Sequence, residues 1–171
     1  MFTPGTGITK GRSDEWGAAT NGLRMGISLK GELGEIHTNQ PLVLLMRLQN
    51  TSSNDVFSIR YAKQKPEGIG LYSFHVTSPS GSAMLLDTTQ RSYEGSVKLL
   101  PPGESMQLSY ELTRLCQLQE VGTYTIIAKR LLSWFSRNKG RAVSAELVSN
   151  FVIVPVVVAG GNTNAESKIK H

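Results

Sequence analysis

The stretch Leu99–Arg130, LLPPGESMQLSYELTRLCQLQEVGTYTIIAKR, limits what this chain can fold into more than any other. Pro101-Pro102-Gly103-Glu104 is a turn, because proline fixes one dihedral and glycine accepts a positive one. Met106, Leu108 and Tyr110 then alternate with Gln107, Ser109 and Glu111, and Leu112 keeps the phase. A period of two marks a half-buried strand. After a brief helical turn or irregular crossover at Arg114–Gln119, a second strand opens at Gly122-Thr123-Tyr124-Thr125, with Tyr124, Ile126 and Ala128 on one face. The segment specifies a β scaffold and says little about chemistry.

The same period recurs upstream. Leu23, Met25, Ile27 and Leu29 alternate with Arg24, Gly26, Ser28 and Lys30, and Leu42, Leu44, Met46 and Leu48 do so in Pro41–Asn50. Val56–Tyr61 and Leu71–Thr77 are further short strands, the latter placing Tyr72, Phe74 and Val76 on one face and His75 on the other. Pro79–Gly81 supplies a turn. Met84–Ser96 is the least patterned internal stretch and reads as a long loop carrying a short strand. Leu131–Arg141 reads as an interruption, followed by a last long strand over Ala142–Pro155. These segments predict an all-β fold, an immunoglobulin-like two-sheet sandwich of seven or eight mainly antiparallel strands. The domain spans 21–158, preceded by a flexible arm at 1–20, with Trp16 as its anchor, and followed by a disordered polar tail at 159–171.

Length and composition bound the class. At 171 residues the chain can bury a real core without disulfides or a structural metal. Cys116 is the only cysteine, which excludes an internal disulfide and fits a buried small hydrophobe. The net charge of +5 and pI near 9.5 favour association with anionic partners without identifying one. MFTPGTGITKGR lacks the apolar run of a secretory signal. The longest apolar run, Phe151–Ala159, is too short for a membrane helix and contains Pro155. The expected location is extracellular or periplasmic if a leader is missing from this sequence, and cytoplasmic otherwise. Asn50-Thr51-Ser52 matches the N-glycosylation pattern.

Glu120-Val121-Gly122-Thr123-Tyr124 resembles the Asp-x-Gly/Ala-x-Tyr run of immunoglobulin-like domains, with Glu120 in place of the aspartate. The resemblance implies a tyrosine corner, in which the Tyr124 hydroxyl returns to nearby backbone and fixes a crossover. Ile126 stands where an antibody-type domain carries its second cysteine, which sets this chain apart from antibodies. Over roughly Leu23–Val154, the ordered pieces Leu44–Asn50, Tyr72–Gly81, Leu100–Ser105 and Gly122–Ala128 resemble bacterial immunoglobulin-like modules of exported, secreted proteins. They are less similar to the β-sandwich proteinase-inhibitor family of bacilli, and no inhibitory loop is identifiable.

Catalytic constellations are missing. No Gly-x-Ser-x-Gly elbow, phosphate-cradling loop or dinucleotide fingerprint occurs, so the chain is not expected to be an enzyme and no cofactor is expected. His37 lies near Glu32 and Glu35, which reads as a solvated loop beside the alternative of a metal site. The candidate interaction surface is the basic-aromatic hairpin: Lys129, Arg130, Trp134, Phe135, Arg137, Lys139 and Arg141. There an apolar ridge flanked by cations would meet a partner, unless Trp134 folds back onto the core. The expected function is a non-catalytic protein-interaction or structural module, through a protein partner or self-association. Carbohydrate or peptide binding, with Tyr61, Tyr93 and Trp134 as candidate aromatics, proteinase inhibition and nucleic-acid binding are the alternatives.

Overall fold

The computed structural model describes residues 16–31, 35–38, 40–62, 72–87, 95–136 and 140–158. They form ten strands, β1 (Leu23–Leu29), β2 (Ile36–His37), β3 (Val43–Asn50), β4 (Phe57–Ala62), β5 (Ser73–Thr77), β6 (Ala83–Asp87), β7 (Gly95–Leu100), β8 (Ser105–Glu111), β9 (Gly122–Ser136) and β10 (Arg141–Val157). A single 3-10 turn covers Leu112–Arg114. The fold is all-β, and among the described residues no helix is long and apolar enough to cross a membrane.

The strands make a three-stranded sheet, β1-β3-β8, a five-stranded sheet, β2-β10-β9-β5-β6, and a ribbon of β4 with β7. Pairing is antiparallel except between β2 and β10. Alternation decides which face of each strand turns inward. Leu23, Met25 and Ile27 of β1, Leu44, Met46 and Leu48 of β3, and Phe74 and Val76 of β5 are all essentially inaccessible. They join Phe57, Ile59, Leu100, Ile126 and Val154 in one core shared by all three sheets. Each such side chain contributes about 1.5–3 kcal/mol of transfer free energy. Phe74 on β5 meets Tyr110 on β8 with ring centroids 4.9 Å apart, so the core is continuous between the larger sheets.

Turns hold the predicted positions. At the PPGE turn, Glu104 N–H donates to the Pro101 carbonyl at 3.2 Å, Gly103 N–H donates to the Asn50 carbonyl at 3.0 Å, and Asn50 N–H donates to the Glu104 carbonyl at 3.0 Å. The β5–β6 hairpin closes through Ser78 N–H to Ser82 O and Gly81 N–H to Ser78 O, both 2.9 Å. Gly81 has φ +83°, a conformation that costs glycine little. The tip of this hairpin leans on the start of β9. A Cβ on Gly122 would stand 2.7 Å from the Pro79 Cβ, and Ser80 N–H reaches the Glu120 carboxylate at 3.3 Å. The buried Tyr124 hydroxyl accepts the Glu120 N–H at 2.9 Å, fixing this crossover.

Two segments differ from the sequence reading. Leu131–Arg141 does not interrupt the sheet: β9 continues through Leu131–Ser136 and pairs with β10 from Arg141 onward. The cations and aromatics there obscured a period of two that runs unbroken from Tyr124 to Trp134. The described part of Met84–Ser96 holds regular strand at both ends, in β6 and β7. Of the predicted arm, Trp16–Thr20 lies along β1, with Gly17 N–H on the Met25 carbonyl at 2.8 Å. Trp16 sits over the Arg24 and Arg47 guanidiniums, 4.7 and 4.8 Å from the ring centroid, and so does anchor this segment. The rest of the arm and the predicted tail lie outside the described residues.

Candidate interaction surface

The β9–β10 hairpin divides its predicted surface residues between two faces. On β9, Tyr124, Ile126, Ala128, Arg130, Leu132 and Trp134 all point inward. Trp134 is 8% exposed and meets Phe57 edge-to-face, ring centroids 5.1 Å apart, an arrangement that adds about 0.5–1.5 kcal/mol beyond area burial. Arg130 is 1% exposed; its guanidinium donates to the Tyr72 hydroxyl at 2.6 Å and to the Arg60 carbonyl, and stacks over the Tyr72 ring at 4.8 Å. These two residues clamp the hairpin onto β4 and are not available as a ridge.

Of the remaining predicted surface residues, Lys129 and Arg141 have described side chains. Lys129 faces out on β9, 4.0 Å from the Glu146 carboxylate on β10. Such an exposed pair is worth about 0–1 kcal/mol, yet it offsets the local cation. Arg141 is exposed at the start of β10. The Phe135 backbone pairs with Ala142. The Phe135 side chain, Arg137 and Lys139 lie outside the described residues, as do Tyr93 and the Tyr61 side chain.

A bulge redirects β10. The register with β9 shifts between Val148 and Phe151. Before it Ala145 and Leu147 face the core, and after it Val154 and Val156 do. Ser149 and Asn150 together stand opposite the single residue Ala128, so β10 carries one extra residue. The Ser149 hydroxyl accepts the Ala128 N–H at 2.9 Å, filling the gap in the ladder. Asn150 turns away to the edge of β1, where its amide meets both backbone groups of Ile27. A bulge of this kind re-aims side chains along the bulged strand.

The outer face of the five-stranded sheet carries what the sequence reading missed. The registers align Leu85 on β6, His75 on β5, Ile127 on β9 and Phe151 on β10 in one row. With strands about 4.8 Å apart, that row runs about 14 Å across the sheet. Leu85 and Phe151 are 58% and 55% exposed, and Ile153, 53% exposed, lies in the next row beside Thr125 and Thr77. From Ile127 to the Thr123–Pro155 pair, the described outer face bears no Asp, Glu, Lys or Arg. Phe151-Val152-Ile153-Val154 was the available signal: it lacks the polar alternation of a strand with one wet face.

Other chemistry is thinly represented. Among the described residues no group of three or more His, Cys, Asp and Glu side chains is placed to hold a metal. His37 is tied to Gln40 and to the Val158 carbonyl, 3.3 Å from its Nδ1, where β2 meets β10. His75 stands half-buried on the outer face, as its position in the alternation predicts. Cys116 is buried, and desolvation raises its thiol above the ordinary value.

No protein-family model matches this chain, and no curated protein matches it. Among solved structures, the chain is similar to a Bordetella pertussis protein provisionally named ApaA, with 15% identity and a TM-score of 0.48, over 78% of this chain and 93% of that one. It is also similar to part of a Listeria innocua β-glucosidase. In the glucose complex the identity is 12% and the TM-score 0.40, over 80% of this chain and 16% of the enzyme. A mutant of that enzyme with laminaribiose gives 12% and 0.41, over 81% of this chain and 16% of the enzyme.

Proposed function

We propose that this chain is a non-catalytic protein-interaction module, built as an immunoglobulin-like sandwich of its three- and five-stranded sheets with the β4–β7 ribbon sharing their core, that binds through the outer face of its five-stranded sheet. The sandwich reading is supported by the tyrosine corner at Tyr124 and by the inward apolar faces of β1, β3, β5 and β9. The binding reading is carried by one observation, the row of Leu85, Ile127 and Phe151 with Ile153 beside it. Scattered exposed apolar residues are ordinary, but a contiguous uncharged patch on a sheet face is characteristic of a docking surface. The fitting partner is a protein presenting an apolar strand or helix face, with Lys129 and Glu146 at the polar rim.

Paired affinity captures test this reading, with wild type compared against the double variant Phe151→Ser, Ile153→Thr, and against Arg141→Ala. A partner held by wild type and by Arg141→Ala, and lost by the double variant, supports the outer face. Retention by the double variant and loss by Arg141→Ala returns the interaction to the basic hairpin. Both sets of substitutions lie on exposed positions, where stability changes are usually within about 0.5 kcal/mol.

A further inference from the structure

We propose that β6 is a self-association edge, pairing antiparallel with β6 of a second copy so that the five-stranded sheets of two chains become continuous. This inference rests on the edge strand itself and does not require the outer face to hold a partner.

Edge strands are normally blunted, and four of the other strands with a described edge, β1, β2, β7 and β8, are. β2 has two residues. On β8 the outward side chains are Ser105, Gln107, Ser109 and Glu111, which alternate with the core positions. On β7, Lys98 is exposed although it pairs with the core residue Ile59, an inward-side charge that obstructs pairing. The free edge of β1 is covered by Gly17 and by the Asn150 amide. β6, Ala-Met-Leu-Leu-Asp, has no lysine, proline or register shift, and Ala83, Met84 and Leu85 are all exposed.

The hydrogen-bond phase of this edge follows from the hairpin. Ser78 donates to the Ser82 carbonyl, so Ser78 and Ser82 form a bonded pair. Bonded and non-bonded pairs alternate along an antiparallel ladder. Met84 and Leu86 therefore bond to β5, opposite Val76 and Phe74, while the backbone groups of Ala83, Leu85 and Asp87 point away from β5, to the side that no described strand occupies. Three outward residues at alternate positions are what a twofold-related strand needs.

The strand is complementary to itself about Leu85. Leu85 then faces the partner subunit's Leu85, Met84 faces the partner subunit's Leu86, and Ala83 faces the partner subunit's Asp87. Each outward residue exchanges two backbone bonds with its opposite number. Apolar pairs fall on both faces, and the row through Leu85, Ile127 and Phe151 continues across the twofold axis. Asp87 is the only charged residue of β6. The antiparallel register sets the two Asp87 positions four residues apart, about 13 Å along the strand and beyond the Debye length of about 8 Å. A parallel partner would stack them. Edge pairing buries little surface, at the low end of interface sizes, so the association is weak and visible only at high concentration.

Sedimentation velocity on the full chain from about 5 to about 500 μM tests the proposal, a range that brackets weak complexes. The expected result is a rise from the 18.6 kDa monomer toward the dimer in wild type and in Phe151→Ser. Leu85→Pro removes an outward N–H without touching a β5 bond, and is expected to remain monomeric throughout. Should that variant fail to fold, Leu85→Lys makes the same test. Amide exchange gives an independent readout: the Ala83, Leu85 and Asp87 amides gain protection with concentration, while that of Met84 does not change. A wild type that stays monomeric, a folded Leu85→Pro that still dimerises, or dimerisation lost only in Phe151→Ser overturns the edge pairing. The last outcome would instead bring two copies together through their outer faces.

Discussion

The Asn150 side chain holds both backbone groups of Ile27. Its Oδ1 accepts the Ile27 N–H at 2.7 Å, and its Nδ2 donates to the Ile27 carbonyl at 3.0 Å. One amide thereby acts as a strand neighbour for the free edge of β1, joining the three-stranded sheet to the bulge of β10.

Asn150→Ala leaves a donor and an acceptor unpaired at a residue that is 1% exposed. Each orphaned group costs about 1–3 kcal/mol, so the variant is expected to lose about 3 kcal/mol in denaturant unfolding. In Asn150→Asp the carboxylate still accepts the N–H but faces the carbonyl with no proton to donate. Its folded-state pKa is therefore raised, and the variant is expected to regain stability as pH falls toward about 4, the unfolded aspartate value. A wild-type denaturation midpoint in Asn150→Ala would show that the bridge contributes nothing.

Trp134 and Arg141 were expected on one surface and occupy different environments. Trp134→Ala removes the edge-to-face contact with Phe57 and opens a cavity, for an expected loss of about 3–5 kcal/mol. Arg141→Ala alters an exposed side chain and is expected to stay within about 0.5 kcal/mol of wild type. Thermal unfolding of the two variants separates core from surface, and equal effects would contradict the packing described.

The scaffold was legible because its signals are local. Alternation in Leu23–Leu29 matched β1, and the PPGE and PSG turns needed only their own residues. The Tyr124 bond spans four residues and could be inferred from Glu120 to Tyr124 alone. The surface proposed for interaction was not legible in this way. Arg130 was assigned to the surface because charge is usually exposed, yet the burial phase begun at Tyr124 carries it inward, where Tyr72 and the Arg60 carbonyl receive it. The row from Leu85 to Phe151 depends on the registers of four strands, and the bulge at Ser149 and Asn150 sets the phase of its last member. No single-strand pattern contains that information.

Asn50 matches a glycosylation acceptor in sequence but is inaccessible in the fold. Its Nδ2 donates to the Asp55 carbonyl at 2.6 Å and the Leu100 carbonyl at 2.9 Å, while its Oδ1 accepts the Ser52 N–H at 2.9 Å. A glycan on Nδ2 would displace both donations. Expression behind a secretion leader in a glycosylating host is expected to yield a folded fraction whose mass is unchanged by glycosidase. Asn50→Ala is expected to lose about 2–4 kcal/mol, because the buried carbonyls it served lose their donors. A glycosylated, fully stable product would refute this account of the turn.

Cys116 provides a titration that reports on the core. Desolvation by burial raises its thiol above 9.0, so the folded protein holds this proton more tightly than the unfolded chain. The sign follows from linkage: the stabilising contribution is complete below pH 9 and is lost as pH rises through the folded value. Cys116→Ala is expected to show a smaller decline in unfolding free energy across this alkaline range than wild type. Burial also suppresses the thiolate, the reactive species. Alkylation by iodoacetamide at pH 8 is therefore expected to be slow in the native protein and to accelerate with urea as the chain opens. Rapid modification under native conditions, with no acceleration on unfolding, would place Cys116 outside the core.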